Sequence, residues 1–405
     1  MTKRILFVDD EQMVLRGIER SLRNMRQEWH AEFSLGGLEA LEAMARQTFD
    51  VVITDMRMPR MDGAQLLEQV REKFPHTVRM ALSGQSDKAT ILRAVGPTHQ
   101  YLSKPCDVEE LKQKLVHALS LRDLLDNSAL KEVVSRLETV PCSPRLHHRL
   151  TDLLQSSSAS IAEASNIIAR DIGMTARVLQ LVNSAFLGTP VAASSAEKAT
   201  TVLGLENLRT LTLSLRMFVP FEGSDTIRAE AAGVWKHSLA SAQLARAIAQ
   251  SEGCPASLVE AAYTAGLLHD IGKLILADSF SEEYEFCLRS RSEQQISTME
   301  SEYETFRSSH AQVGAYLLGL WGLPMPIVEA VAWHHQPSQA EPVSFSPLIA
   351  VHVGTVLNHR KYPALPQADN TVLDEVLLTS LGLKQRLPVW SELAEKAELE
   401  TENWA

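Results

Sequence analysis

The sequence predicts two unlike halves: an α/β domain built on a five-stranded, doubly wound parallel sheet, then an all-α domain of many helices. Three observations carry this prediction. Over about the first 120 residues, short apolar runs alternate five times with amphipathic stretches, the pattern of a parallel sheet covered by helices on both faces. After about residue 130, strand signals become rare and apolar residues recur at helical spacing. At 405 residues the chain also exceeds what one core organises, and at about 150 residues per domain it holds two or three.

In order, "RILFVDD" precedes an amphipathic segment at 11–26, "EFSLG" one at 37–47, "DVVITDM" one at 64–73, "VRMALSG" one at 87–95, and "HQYLSKP" one that starts at 107. The last opens with Asp107-Val-Glu-Glu110, a capping-box pattern, and carries an i, i+4 ridge of Leu111, Leu115 and Leu119. With no Pro/Gly-rich break after it, this helix is expected to run to about Asn127 as a connector. Its ridge either packs within its own chain or supports a homodimer. Beyond it, "IAEASNIIARDIGMTARVLQLVNSAFLG" and "ASSAEKATTVLGLENLRTLTLSLRMF" read as short helices broken at Gly173, Gly188 and Gly204. Further helices are expected at 229–251, 256–277, 310–320, 324–335 and 346–358, and the Glu-rich tail ending "ETENWA" is expected to fray.

Composition narrows the partners. A formal net charge of -11, with 22% charged and 45% apolar residues, describes an acidic chain without the basic stripe that a phosphate backbone requires, so nucleic acid is not an expected partner. No apolar run approaches the roughly 18 residues of a membrane span, and "MTKRILFVDDEQ" turns acidic where a signal peptide stays apolar. A cytoplasmic location is expected. Cys106, Cys142, Cys254 and Cys287 are widely spaced and form no CxxC pair, so they read as reduced thiols and not as a disulfide framework or structural zinc site.

In a doubly wound sheet, ligands gather beyond the carboxyl ends of the strands. Those ends carry Asp9 and Asp10, Asp55, Ser83 and Lys104. Three carboxylates, a hydroxyl and an ammonium on one rim are costly to crowd unless a divalent cation and an anion sit among them, so the rim reads as a phosphoryl-transfer site. The elements "VDDE", "ITDMRMPRMDG", "LSG" and "YLSKP" resemble those of a two-component receiver domain, over residues 1 to about 122. The resemblance implies that Asp55 takes a phosphoryl group from a histidine kinase, and that Asp9 and Asp10 hold Mg2+ with Asp55 and the backbone carbonyl of Arg57. Lys104 would neutralise one phosphate oxygen and Ser83 would donate a hydrogen bond to another. It implies further that Met56 to Pro59 and Asp62-Gly63 shape the loop after the nucleophile, that Lys104-Pro105 is a cis peptide, and that Tyr101 swings inward as Ser83 moves. Read without the resemblance, Tyr101 is a half-buried strand residue.

The second half centres on "GLLHDIGKL" (266–274), a histidine beside an aspartate in an apolar run. With "IIARDIGMTARVLQLVNSAFLG", "VLGLENLR", "WKHSLA", "HAQVGAYLLGLWGLP" and "WHHQP", it resembles an HDOD domain, a helical output module related to the HD phosphohydrolases, over roughly 133–360. Arg170-Asp171-Ile172 stands where that family has "RDP". In HD hydrolases the metal is held by histidines, the His-Asp pair and a closing aspartate. The resemblance places His237, His269, Asp270, His310, His334 and His335 in that set, donors for one or two divalent ions such as iron or manganese. Where the closing aspartate is expected stands Thr355, which leaves Asp270 as the set's one carboxylate and weakens both metal affinity and activation of a bound water. Adjacent helical residues diverge by about 100°, so His269 and Asp270 share an ion only if other helices converge on them. The other reading makes these histidines buried packing groups, hydrogen-bonded to one another, to carbonyls and to Asp270. Lys273 reads as a surface or substrate-facing cation, and Asn183-Ser184 and Gly204 to Asn207 as caps and turns.

The expected function is that of a response regulator. A receiver at 1–122, phosphorylated on Asp55, would relay its state through a helical connector at 107–132 to an HDOD module at 133–360 that binds a downstream signalling protein, ahead of a tail at 361–405. An alternative is a receiver-controlled metal phosphohydrolase acting on a cyclic dinucleotide or another nucleotide, although the further motif residues of HD-GYP regulators are missing after "WHHQP". A third is an aspartyl-phosphate sink with no output.

Overall fold

The computed structural model describes residues 3–22, 29–83, 97–104, 108–120, 125, 127–183, 193–362 and 371–397. Its first part is a parallel sheet in the order β2-β1-β3-β4-β5, made by β1 (Lys3–Val8), β2 (Trp29–Ser34), β3 (Val51–Asp55), β4 (Val78–Ser83) and β5 (Gln100–Ser103). These are the five expected runs. They are apolar almost throughout because both faces are covered: Ile5, Phe7, Ile53, Met80 and Leu102 enter one layer, and Leu6, Val8, Val52, Ala81 and Tyr101 the other. Around the sheet stand α1 (Gln12–Ser21), α2 (Gly37–Arg46), α3 (Gly63–Lys73) and α4 (Val108–Ser120). The helix expected at 87–95, the cap Asp107, Cys106 and the Lys104-Pro105 peptide lie outside the described residues.

Leu111, Leu115 and Leu119 are buried in the chain's own core, so the ridge that could have served a dimer is already covered. The connector does not run unbroken to Asn127. That residue is extended (φ -78°, ψ 112°), and its side-chain oxygen accepts the N–H groups of Ala129 and Leu130 to start a new helix, α5 (Ser128–Arg136). Asparagine is among the strongest N-caps, and here it starts a helix at the point where the connector was expected to end.

The helical half continues with α6 (Pro144–Gln155), α7 (Ile161–Ile168), α8 (Ile172–Asn183), α9 (Ala196–Leu203), α10 (Leu205–Arg209), α11 (Asp225–Ser251), α12 (Ala256–Leu268), α13 (Ile271–Ser279), α14 (Ser281–Gln294), α15 (Thr298–Phe306), α16 (His310–Leu320), α17 (Met325–Trp333), α18 (Pro347–Lys361), α19 (Glu375–Ser380) and α20 (Leu387–Lys396). Asp171 of "RDI" clasps two elements: its carboxylate accepts from Met174 N at the start of α8 and from Ser143 N ahead of α6, both at 2.8 Å. Ile172 in place of proline leaves that cap intact. Asn183 does not cap; its amide pairs with the backbone of Ala193, while Ser184 and Gly188 lie outside the described residues. Gly204 takes φ +77° ahead of α10, and Asn207 donates to the Leu203 carbonyl, as a turn requires.

The helix expected over 256–277 is in fact two, parted at His269-Asp270. The tail does not fray over its described length, because α20 buries Trp390 completely and Lys361 Nζ donates to the Ala394 and Glu395 carbonyls at its C-terminal end. Both glycines of "GLLHDIGKL" have a steric reason: a Cβ on Gly266 would lie 2.8 Å from Ala242 Cα on α11, and one on Gly272 would lie 1.9 Å from the His310 carbonyl at the start of α16. Only glycine lets α12 meet α11, and α13 meet α16, this closely.

Receiver and helical half join at the β4–β5 edge. The Arg79 guanidinium and His99 Nε2 both donate to the carbonyl of Ser135 near the C-terminus of α5, at 2.6 and 2.9 Å. Gln100 Nε2 donates to the carbonyls of Gly319 and Leu320 at the C-terminus of α16, at 3.2 and 3.1 Å. Helix-end carbonyls have no partner within their own helix, and here the edge of the sheet supplies one. Ser135 Oγ and Tyr316 Oη, 3.2 Å apart, tie α5 to α16.

Candidate functional site

The parallel sheet sets the ends of β1, β3, β4 and β5 along one edge and so assembles the expected rim. Asp9 and Asp55 are buried while Asp10 is exposed. Lys104 Nζ lies 2.8 Å from Asp9 Oδ2 and 2.6 Å from Asp55 Oδ1. Burial works against the ammonium, but its hydrogen bonds to Asp55 and Asp9 outweigh that, and its pKa is raised. The second oxygen of each carboxylate is held by backbone, Asp9 Oδ1 by Glu11 N–H and Asp55 Oδ2 by Arg57 N–H, both at 2.9 Å. One ammonium against three carboxylates leaves surplus negative charge, which fits a divalent cation of the Mg2+ type.

The loop after Asp55 is shaped as its residue types require. Asp62 caps α3 in a full capping box with Gln65. A Cβ on Gly63 would lie 2.3 Å from the Asp55 carbonyl, so glycine alone allows the helix to start against Asp55. Ser83 closes β4, its hydroxyl lying outside the described atoms. Tyr101 is not half-buried: at 2% exposure it sits inside the layer under α2 and α3, and burial pushes its phenol above the usual value.

The histidines come together from four places. α11 supplies His237, the α12–α13 junction His269 and Asp270, the first residue of α16 His310, and the end of α17 His334 and His335. Each ring is tied at Nδ1: His237 by Asn358 Nδ2 at 3.1 Å, His269 by the Gly266 carbonyl at 2.7 Å, His310 by Glu302 Oε2 at 2.7 Å, His334 by the Val331 carbonyl at 2.9 Å and His335 by Thr371 Oγ1 at 2.8 Å. The Nε2 atoms are thereby aimed inward. His237 and His269 approach to 3.2 Å through Nε2, and His310 and His335 to 3.0 Å. Asp270 lies among them, 3.2 Å from His310 Nε2 and 3.5 Å from His269 Nε2.

Helix termination solves the divergence of His269 from Asp270. At φ -99° and ψ 11°, Asp270 has left the helix, so its carboxylate turns back toward its neighbour. Lys273 is neither on the surface nor open to substrate: it is buried and its Nζ lies 2.9 Å from Asp270 Oδ2. Burial disfavours the Asp270 anion, yet His269, Lys273 and His310 together hold it well below the usual carboxylate range. Burial lowers His237, His269, His334 and His335, leaving them neutral donors. It opposes charge on His310 as well, but Glu302 and Asp270 on either side lift that ring to about 9.

Two three-donor groups result, His237 with His269 and Asp270, and His310 with His334 and His335, their ligand atoms within 4.8 Å of one another in each. His334 Nε2 is buried and has no hydrogen-bond partner. An aimed lone pair left bare in the interior fits a metal ligand better than a packing group. Thr355 stands on α18 between His352 and Asn358, buried and with no carboxylate to offer.

Against known families, the response regulator receiver domain matches residues 5–116 and the HDOD domain residues 140–337. The chain is a response regulator with a receiver domain and an HDOD domain. An uncharacterised protein of Treponema pallidum (strain Nichols) is 23% identical to this response regulator over 54% of this chain and 42% of its own. The transcriptional regulatory protein ZraR of Escherichia coli (strain K12) is 28% identical over 42% of this chain and 37% of its own. A solved structure of the MmoQ response regulator from Methylococcus capsulatus str. Bath is similar over 62% of this chain and 98% of that one, at 25% identity and a TM-score of 0.47. The chain spans less than half the length of these two curated relatives. Among the described residues of this response regulator, no helix is long and apolar enough to cross a membrane.

Sequence reasoning missed the residues that orient the histidines. Glu302, Asn358 and Thr371 lie 8, 121 and 36 positions from the rings they hold. It also missed His352, which bridges the His334 carbonyl to the Asp374 N–H, and His359, whose ring stacks on His237 with centroids 4.4 Å apart. The one available signal was the helical spacing of His352, Thr355 and His359 on a single face of α18.

Proposed function

We propose that this response regulator is switched by a histidine kinase at Asp55 and that the switch alters how its HDOD domain engages a downstream signalling protein. An Asp55 oxygen bonds to phosphorus as the kinase's P–N bond breaks. Asp9, Asp10 and the Arg57 carbonyl would hold Mg2+, which offsets the charge of the transferring group. Lys104 carries the reading: it already lies 2.6 Å from the accepting carboxylate, so it needs only to pass from carboxylate to phosphate oxygen. Beryllofluoride with Mg2+ should change hydrogen exchange in the helical half of the wild type and leave Asp55→Asn unaffected. Identical exchange with and without beryllofluoride would overturn the proposal.

A second reading concerns the histidine cluster, and the bare His334 Nε2 favours it. His237, His269, Asp270, His310, His334 and His335 would hold a transition-metal ion of the iron or manganese class. Such an ion supplies a cross-link among the helices and a Lewis-acid centre. Elemental analysis of anaerobically purified protein should find near-stoichiometric metal that is lost in His269→Ala. A folded, metal-free wild type would end this reading.

A further inference from the structure

One helix touches both sites' surroundings. α16 begins at His310, a member of the cluster, and ends at Gly319 and Leu320, whose carbonyls are capped by Gln100 of β5. Four residues along that strand stands Lys104, paired with Asp9 and Asp55. The distance is about 13 Å along the strand and about 15 Å along the helix. Asp55, Lys104, β5, Gln100, α16, His310 and Asp270 therefore form an unbroken physical line.

We propose that α16 is a coupling rod, through which phosphorylation of Asp55 and metal ligation at the histidine cluster change each other's equilibrium. The proposal rests on the two readings above and adds that their sites are not independent. Its grip at the C-terminus is specific. Gly322 takes φ +72°, Leu323 N–H bonds back to the Leu318 carbonyl and Gly322 N–H to the Gly319 carbonyl, which closes the helix, and Gln100 shares the Gly319 carbonyl and takes that of Leu320. The N-terminus is gripped as well. Ser309 and Gln312 form a capping box, Glu302 accepts both His310 N–H and Nδ1–H at 2.7 Å, and Gly272 lies directly beneath the His310 carbonyl. The helix packs closely on its neighbours at Gly314, where a Cβ would sit 2.7 Å from Ile271 Cγ2 and 3.3 Å from Val331 Cγ1. Motion along or about the helix axis carries His310 Nε2 relative to His335 and Asp270, now 3.0 and 3.2 Å away. Sub-ångström shifts at packed interfaces select between discrete arrangements instead of being absorbed. Because coupling is reciprocal, metal at the cluster must alter the receiver's affinity for a phosphoryl mimic by the factor by which the mimic alters metal affinity.

The test uses full-length protein and Co2+ as a spectroscopic probe of the cluster, titrated with and without Mg2+ and beryllofluoride. The expected result is a change in Co2+ affinity of about 5-fold or more. It should shrink in Gln100→Ala and in Tyr316→Phe, the latter keeping the ring should the former fold poorly. Equal Co2+ affinities in both states overturn the proposal while leaving both parent readings standing. If no Co2+ binds, the metal reading fails and takes the proposal with it, whatever amide exchange along α16 shows. If beryllofluoride leaves the loop after Asp55 unchanged, the phosphorylation reading fails and takes the proposal with it.

Discussion

The receiver rim and the histidine cluster both gather carboxylates, yet they settle charge in opposite ways. On the rim, Asp10 faces solvent and one lysine spans the other two carboxylates, so water and an arriving cation meet the remaining cost. In the cluster nothing reaches water except by way of partly buried His335, and Asp270 is compensated by Lys273 and His310, with Glu302 beyond. Solvent therefore buffers one site against substitution, while the other depends on each partner's presence. The difference teaches that a charged site on strand ends can be built for exchange, whereas one inside a helix bundle must be complete to fold.

The sharpest way to break this comparison is to remove one aspartate from each site. In metal-stripped protein, Asp270→Ala removes the buried carboxylate that faces both Lys273 and His310 and should cost about 3–5 kcal/mol in urea unfolding. Asp10→Ala should keep the wild-type midpoint and lose only the Mg2+-dependent beryllofluoride response. Equal midpoints for both variants would erase the distinction. Next in size are the glycines that seat each site. Gly272→Ala and Gly63→Ala both force a Cβ onto backbone and should cost about 1–3 kcal/mol each by the same measurement, the first disturbing the cluster and the second the loop after Asp55.

Acidity separates the sites further. Buried His237, His334 and His335 stay unprotonated in the folded state, whereas the unfolded chain takes up protons below about pH 6.5. Their contribution is present above that pH and is lost as pH falls, at about 1.4 kcal/mol per pH unit for each ring. His310 runs the other way: raised to about 9, it stabilises fully below about pH 6.5, and this is lost as pH climbs through 9. Unfolding of metal-stripped protein at pH 5, 6.5 and 9 should show the greatest stability near 6.5 and a steeper loss on the acid side. The smallest effect belongs to the connector, where Asn127→Ala removes the cap of α5 and should cost about 1 kcal/mol.

How much of this was legible varies with the kind of signal. On the rim, the placement of Asp9, Asp55 and Lys104 was readable, because a parallel strand of known direction places its last residues at a known edge, whereas the depth of Tyr101 was not, and the Ser83 hydroxyl lies outside the described atoms. The cluster's ligands were readable as residue types, but their orientation was not. Glu302 aims His310 across the turn between α15 and α16, and Asn358 aims His237 from a helix far along the chain. Connector and tail show a related limit: the sequence carries a helix to about Asn127 and a helical or frayed tail from 361, while the side-chain cap that starts α5 and the burial of Trp390 rest on tertiary contacts.

By itself, then, the sequence determined which chemistry the protein carries: strand-end carboxylates with a lysine, and a histidine set with a single acidic partner. Tertiary structure alone decided that every Nδ1 in the cluster is tied and every Nε2 turned inward, that Lys273 is a buried counter-ion, and that α16 runs from the receiver's edge to His310. Periodicity and turn chemistry act over a few residues and leave their mark in the local sequence. Ring orientation, burial and helix docking depend on contacts between segments tens to hundreds of residues apart, and no single stretch of sequence records them.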